Sequence, residues 1–218
     1  MTVMRAIPLT LLTLLGVAAA AHADPRNELS IGGAARALRS PSANAVTDRN
    51  LGGTSFGAAR DLGVDVGPAS LWATAGLTTS STDGTMFQRL TTKVDALALT
   101  GGLGARYALH RLIHLSARLE LGAQRVRLDI DDGSAAVSDR AWGRMAAASA
   151  AIDLIGRLGQ HLGFGFRIEA GYTMTQSISL VPHRRIDSDT LMLPMTDASI
   201  GNLDLGGPTL AASLVGQF

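Results

Sequence analysis

Apolar and polar residues alternate along most of the chain beyond its first thirty residues. In HLGFGFRIEAGYT, from His161 to Thr173, every second residue is apolar, and those between are mainly Gly, Arg, Glu and Thr. A period of two residues is typical of a β-strand whose two faces lie in different surroundings. Similar alternation predicts eight strands, at residues 29–39, 54–66, 69–79, 94–109, 113–125, 142–155, 162–173 and 205–218.

The predicted connections fall into two length classes that alternate strictly along the chain. Three connections are short, near Pro68, near Arg111 and at 156–161. Four are long and polar, at 40–53, 80–93, 126–141 and 174–204. An up-and-down barrel with both termini on one side needs this order, and outer-membrane barrels combine short periplasmic turns with long extracellular loops. A soluble exported sandwich is the alternative, but it has no reason to sort its connections by length.

The faces of the predicted strands favour the barrel. In the fifth strand Leu119 and Leu121 oppose Arg118 and Glu120, and glycine recurs on the polar faces. Glycine on the wet face of a soluble strand only costs backbone entropy, whereas a narrow lumen needs small residues beside large ones. The Ala-rich stretch at 144–155 could form a helix by propensity, but an even strand count favours a strand.

The first residues have the features of a secretory signal. They contain Arg5, an apolar run from Ile7 to Ala21, and the small residues Ala21 and Ala23. This pattern predicts a signal peptide at 1–23, cleaved after Ala23; a membrane anchor is the alternative, for which the run is short. The sequence therefore predicts two parts, the signal peptide and a single barrel domain at 24–218.

Composition excludes several function classes. Of the 19 basic residues one lies in the leader, which leaves 18 to balance 18 acidic residues, so we expect no nucleic-acid partner. Cysteine is absent, which excludes disulfides. His110 and His114 flank a short turn, but two ligands make a poor metal site. GGLG at 101–104 lacks the strand-to-helix context of a phosphate loop. We expect no metal and no cofactor.

The end of the chain carries a resemblance to a known family. With its leader, its loop alternation and the terminal stretch TLAASLVGQF, the chain resembles the small eight-stranded outer-membrane barrels of the OmpA/OmpX type. The resemblance implies an all-β, eight-stranded antiparallel up-and-down transmembrane barrel in the outer membrane, in contact with outer-membrane lipid. It also implies that Phe218, a terminal aromatic residue, is part of the signal read by the barrel-assembly machinery. We expect a monomer.

Charged residues of both signs fall on the predicted inner faces. These are Asp61, Asp65, Arg106, Arg118, Glu120, Asp153, Arg167 and Glu169. Buried charges persist when they are paired and hydrogen-bonded, so we expect a salt-bridge network that plugs the lumen. The alternative is a narrow ion pore, in which such groups line water.

The longest predicted loop carries a second group of charges. Its stretch PHRRIDSD contains Arg184, Arg185, Asp187 and Asp189, which are candidates for surface recognition. A solvated loop tip without a specific partner is the alternative interpretation.

An enzyme is the alternative from a different functional class. His114 and Ser116 in IHLSARLE resemble the His-x-Ser pair of outer-membrane lipid A deacylases, and Glu120 would complete the residue types of an activated serine. The predicted topology, however, puts them near a periplasmic turn, and about 13 Å of strand separates Ser116 from Glu120. We therefore predict a structural or surface-interaction protein without catalytic residues.

Overall fold

The structure is a computed structural model that carries the side chains of the protein. It describes residues 26–86, 90–131, 136–159, 162–180, 183–184 and 202–218. The predicted signal peptide lies outside the described residues, so its cleavage stays a prediction.

Eight long strands form the wall of the molecule. They are β1 (Asn27–Ala37), β2 (Asn50–Val66), β3 (Ala69–Met86), β4 (Leu90–His110), β5 (Ile113–Asp131), β6 (Ala136–Leu158), β7 (Leu162–Thr175) and β11 (Gly207–Gln217). Each strand pairs antiparallel with the next one, and β11 pairs with both β7 and β1. The sheet therefore closes into a ring, and the predicted eight-stranded up-and-down barrel is confirmed.

The ring closes through the two ends of the described chain. β1 and β11 pair without interruption from Glu28 opposite Gln217 to Arg36 opposite Thr209. Beyond these pairs, the N–H of Asn27 donates to the carbonyl of Phe218 over 2.9 Å, and the N–H of Phe218 donates back over 3.0 Å. The sheet consequently has no open edge along its closing seam.

Six strands are longer than the sequence pattern predicts, and four of them form two long hairpins. β3 and β4 remain paired up to Met86 opposite Leu90, and β5 and β6 up to Asp131 opposite Ala136. The predicted loops at 80–93 and 126–141 are therefore wrong, because most of these residues belong to two hairpins. Their polar composition suggested loops, yet their backbones are paired. The Ala-rich stretch at 144–155 lies within β6 and is a strand, as predicted.

Short elements lie on the side of the barrel that holds the hairpin tips. Helix α1 (Pro41–Val46) begins after Ser40, whose side chain accepts a hydrogen bond from the N–H of Ala43. Three short strands, β8 (Ile178–Ser179), β9 (His183–Arg184) and β10 (Asn202–Leu203), follow β7. β8 pairs with β10, and β9 adds to the edge of β6. In the described part of the chain no helix has the length and hydropathy of a membrane span.

The outer surface carries a belt of large apolar side chains. Leu119 and Leu121 are 70% and 71% exposed, and exposed large apolar residues also project from the other barrel strands except β3. Exposed apolar side chains also include Trp142 near the hairpin end and Phe218 at the other end. A contiguous apolar surface of this extent marks contact with lipid, because soluble monomers rarely expose it.

Polarity inverts where the hairpins leave the belt. Within the belt, β5 directs Leu121 outward and Glu120 inward; nearer the hairpin tip it directs Arg127 outward and buries Leu128. The alternation keeps its phase, so the backbone has not slipped. The surroundings have changed instead, from lipid outside a polar lumen to water outside an apolar core.

A closed barrel predicts resistance to cold detergent. We expect the mature protein, folded in detergent, to migrate differently on dodecyl sulfate gels before and after boiling, because unfolding must break a complete ring of backbone hydrogen bonds. Gel mobility of paired samples checks this. If boiled and unboiled samples migrate alike and the protein is recovered from the periplasm, the result would instead favour the soluble sandwich.

Candidate functional site in the lumen

Six charged side chains meet in the periplasmic half of the lumen. Five strands supply them, and the alternation of each strand directs them inward. The residues are Glu28 of β1, Arg106 of β4, Arg118 of β5, Asp153 of β6, and Arg167 and Glu169 of β7. We call this group the lumen charge cluster. Three guanidinium groups and three carboxylates make the cluster neutral when all are ionised.

The centre of the cluster is a buried pair. The guanidinium of Arg167 donates to both carboxylate oxygens of Asp153, with Nε to Oδ1 at 2.5 Å and Nη2 to Oδ2 at 2.9 Å. Its third nitrogen, Nη1, lies 2.8 Å from Oε1 of Glu28. The side chains of Arg167, Asp153 and Glu28 are 1%, 0% and 2% exposed. Two-pronged pairing of this kind is the geometry that makes buried charges tolerable.

The other two arginines complete the cluster around Glu28. Arg106 donates from Nη2 to Oε2 of Glu28 over 2.5 Å, and its guanidinium stacks 4.2 Å from the centre of the Trp72 ring. Arg118 lies between two carboxylates, 3.6 Å from Glu28 and 3.4 Å from Glu169. Glu28 therefore contacts all three arginines, which makes it the most connected member.

Glycine makes room for these long side chains. A Cβ placed on Gly165 would collide with the carbonyl of Leu154 on β6, and one placed on Gly102 with the carbonyl of Leu119 on β5. These inward positions approach the next strand too closely for any side chain. The glycine-rich inner face predicted from the sequence is therefore a steric requirement of the narrow ring.

The structure places five of the eight predicted lumen charges in the cluster. Glu120 lies apart and accepts a hydrogen bond from Thr100 over 3.0 Å. The prediction that Asp61 and Asp65 belong to the charge network must be corrected, because neither joins the cluster. Asp61 accepts from the N–H of Gly63, and Asp65 is exposed. A bulge shifts the register between these two residues, with Gly63 at a positive φ of 67°, so regular alternation ends there.

Glu28 is the functional side chain that sequence reasoning missed. The predicted first strand began at residue 29, whereas β1 begins at Asn27. The signal was present, because Glu28 shares its face with Ser30 and Gly32 and opposes Leu29 and Ile31. A strand boundary misplaced by two residues removed the central carboxylate from the prediction.

An apolar cluster, also missed, closes the opposite half of the lumen. It joins inward residues of β2, β4 and β5 to residues of α1, β8 and β10 and to residues that closely follow β1, β8 and β10. Its buried members are Leu38, Ala43, Val46, Leu51, Val94, Ala96, Val126, Leu128, Ile178, Leu180, Leu203 and Leu205. The hydroxyl of Thr92 donates to the carbonyl of Val46, which ties α1 to β4. We call this group the apolar plug.

The remaining candidates occupy separate places. The hydroxyl of Ser116 donates to Oδ2 of Asp153 over 3.3 Å, so Ser116 is a neighbour of the lumen charge cluster. Within the described ranges no three His, Cys, Asp or Glu side chains gather as a metal site, and the absence of a metal stays a prediction. Arg185, Asp187 and Asp189 lie outside the described residues. Arg184 belongs to β9, whose backbone pairs with β6.

These features decide the class of protein. The backbone closes on itself, and large apolar side chains cover the outer wall. Charged side chains lie in the lumen and toward the two ends of the barrel. Only a closed barrel satisfies every backbone group of a sheet inside lipid. The chain is a small outer-membrane β-barrel. The predicted fold class and outer-membrane location are confirmed by this architecture.

Comparisons with known proteins find distant structural neighbours and add no function. No family model and no curated protein matches the chain. Ail, the attachment invasion locus protein of Yersinia pestis, is 13% identical over 89% of this chain and 97% of its own, with a TM-score of 0.46. Its complex with the heparin analogue sucrose octasulfate gives 0.45 at the same identity and coverage. The β domain of the Bordetella autotransporter BrkA is 15% identical over 87% of this chain and 69% of its own, with a TM-score of 0.41.

Removal of the central carboxylate should destabilise the barrel. We expect Glu28→Gln to lower the free energy of unfolding by about 3 kcal/mol, because three buried arginines would then share two carboxylates. Urea unfolding in lipid vesicles measures the change. Asp65→Asn is the matched control, since Asp65 is exposed and its substitution should stay within about 0.5 kcal/mol. Equal stability of the two variants would contradict the role assigned to Glu28.

Proposed function

We propose that the protein is a structural or surface-interaction barrel with a closed lumen. The observation that supports this most directly is that two different groups of side chains fill the two halves of the lumen. The lumen charge cluster occupies the periplasmic half, and the apolar plug occupies the half near the hairpin tips. Small barrels whose interior is filled by side chains act through their outer and extracellular surfaces rather than through a channel.

The pairing of the lumen charges argues against the ion-pore alternative. An ion path requires charged groups that face water and exchange partners with the passing ion. Here Asp153 and Arg167 face each other with almost no exposed surface. An ion would have to separate a buried, two-pronged pair and then cross an apolar plug, and each step carries a large desolvation cost.

The extracellular surface offers the area for interaction. Beyond the belt, the hairpins of β3–β4 and β5–β6 continue for about 20 Å of strand length. Arg184, Arg185, Asp187 and Asp189 of the last loop remain our candidates for recognition at this surface. We further propose that the barrel is a monomer in contact with outer-membrane lipid, and that Phe218 serves the barrel-assembly machinery.

We propose no catalytic role. Activation of a serine requires a base that accepts its proton, and the histidine would have to be that base. The hydrogen bond of Ser116 runs to Asp153, a carboxylate already engaged by Arg167. Ser116 therefore supports the lumen charge cluster in this proposal.

A closed lumen predicts the absence of ion conductance. We expect the folded mature protein, inserted in planar bilayers at neutral pH, to give no discrete current steps, because charge cluster and plug block the path in series. A wide porin in the same bilayers supplies the positive control. Regular steps that scale with the amount of inserted barrel would overturn the proposal and favour the pore.

The enzyme alternative is tested at its serine. We expect Ser116→Ala to leave the acylation of lipid A unchanged in cells that produce the barrel, as measured by mass spectrometry of the extracted lipid. Cells without the barrel give the baseline. Loss of acyl chains that depends on the native serine would contradict the non-catalytic proposal.

A further inference from the structure

Four arginines gather on the outside of the barrel, just beyond the apolar belt. They are Arg125 and Arg127 of β5 with Arg140 and Arg144 of β6. Their positions alternate with buried residues of the plug, such as Val126, so they point away from the lumen. Trp142, 59% exposed, lies among them. We call these five residues the arginine patch.

Strand register fixes the height of the patch. Arg125 lies between Leu97 on one side and Trp142 on the other, and Arg144 lies opposite Ala123. Leu121 and the other belt residues begin one step further down the strand. Arg125 and Arg144, one outward position apart, are therefore the first charged residues above the belt, at the level where tryptophan is enriched in membrane barrels.

The patch has more positive charge than its neighbours neutralise. Arg127 lies directly opposite Arg140, a like-charge arrangement that destabilises a strand pair. Arg127 has a carboxylate partner, Asp129, at 3.0 Å, and the nearby Asp95 pairs with Lys93 at 3.6 Å. Among the described residues Arg125, Arg140 and Arg144 form no ion pair. The unpaired charge favours an anionic ligand.

A recess with hydrogen-bond donors adjoins this charge. It has a volume of about 510 Å³ on the outer wall between β2 and β5. Hydroxyl groups of Thr54, Thr79 and Ser81 line it together with Arg125 and Arg127, and Leu97 forms its apolar side. Asp95 is the acidic residue of the lining. Guanidinium and hydroxyl donors beside an apolar wall fit a phosphorylated head group with attached acyl chains.

We propose that the arginine patch and this recess bind the phosphate group of an outer-leaflet lipid, whose acyl chains lie along the leucines below. The inference rests on the proposed function and makes the proposed lipid contact specific. Free phosphate offers the same chemistry, but it has no acyl chains that could contact the apolar belt directly below the site and beside Trp142. Basic side chains at a membrane surface attract anionic head groups strongly enough to order them.

Lipid retention by the intact barrel tests the site. Folded barrel in detergent is titrated with bisphosphorylated lipid A, and bound lipid is counted by native mass spectrometry. We expect Arg125→Gln/Arg144→Gln to weaken binding about 30-fold, as two contacts of about 1 kcal/mol each would give. The control, Arg60→Gln/Arg111→Gln, removes two exposed arginines near the periplasmic turns and should stay within about twofold of native. Heat-modifiable migration verifies that both variants fold.

Two further arms separate the sources of the anion. Dephosphorylated lipid A should bind the native barrel as weakly as intact lipid A binds the patch variant. Millimolar inorganic phosphate should displace little lipid. Equal lipid binding by both double variants would overturn the proposed lipid site, and so would undiminished binding of dephosphorylated lipid A. Full displacement of the lipid by inorganic phosphate would overturn the lipid assignment and indicate a site for free anions. Conductance of the same preparation reports separately on the closed lumen, so failure of one proposal is distinguishable from failure of the other.

Discussion

Complete backbone pairing inside lipid is the constraint on which this structure depends. A sheet satisfies it only by closing, and here the closing hydrogen bonds join Asn27 to Phe218, at the two ends of the described chain. Closure with eight strands fixes a narrow lumen. The narrow lumen in turn dictates where glycine must stand and which side chains fit inside.

The lumen is stable because its charges neutralise one another at short range. Asp153, Arg167 and Glu28 are almost fully buried, so each would carry a large desolvation cost alone. Glycines such as Gly102 and Gly165 leave the space that their guanidinium groups and carboxylates require. The same ion pairing that stabilises the buried charges also prevents them from lining a water-filled path. The stability of the lumen and its closure to solutes therefore have one cause.

Period-two alternation predicted the eight strands and the face of each, because lipid and lumen impose opposite chemistry on adjacent residues. It also identified five members of the charge cluster. It failed where regular alternation ends: Asp61 and Asp65 flank a bulge at Gly63 and do not join the cluster, and a misplaced boundary hid Glu28. The apolar plug was hidden for another reason, since it combines residues from distant segments that no local pattern connects.

Inversion of polarity along β5 carries information that the strand prediction did not use. Leu121 and Arg127 point to the same side of the sheet, yet one faces lipid and the other water. On β5 the change occurs between Ala123 and Arg125. On the paired strand β4 it occurs one outward position nearer the hairpin tip, between Leu97 and Asp95. Two neighbouring strands that invert within one outward position of each other locate the membrane surface. A loop interpretation of 126–141 discarded this signal, because it treated exposed charges as evidence against a strand. The arginines belong to the strand, and their place at the rung of inversion is what makes them neighbours of lipid head groups.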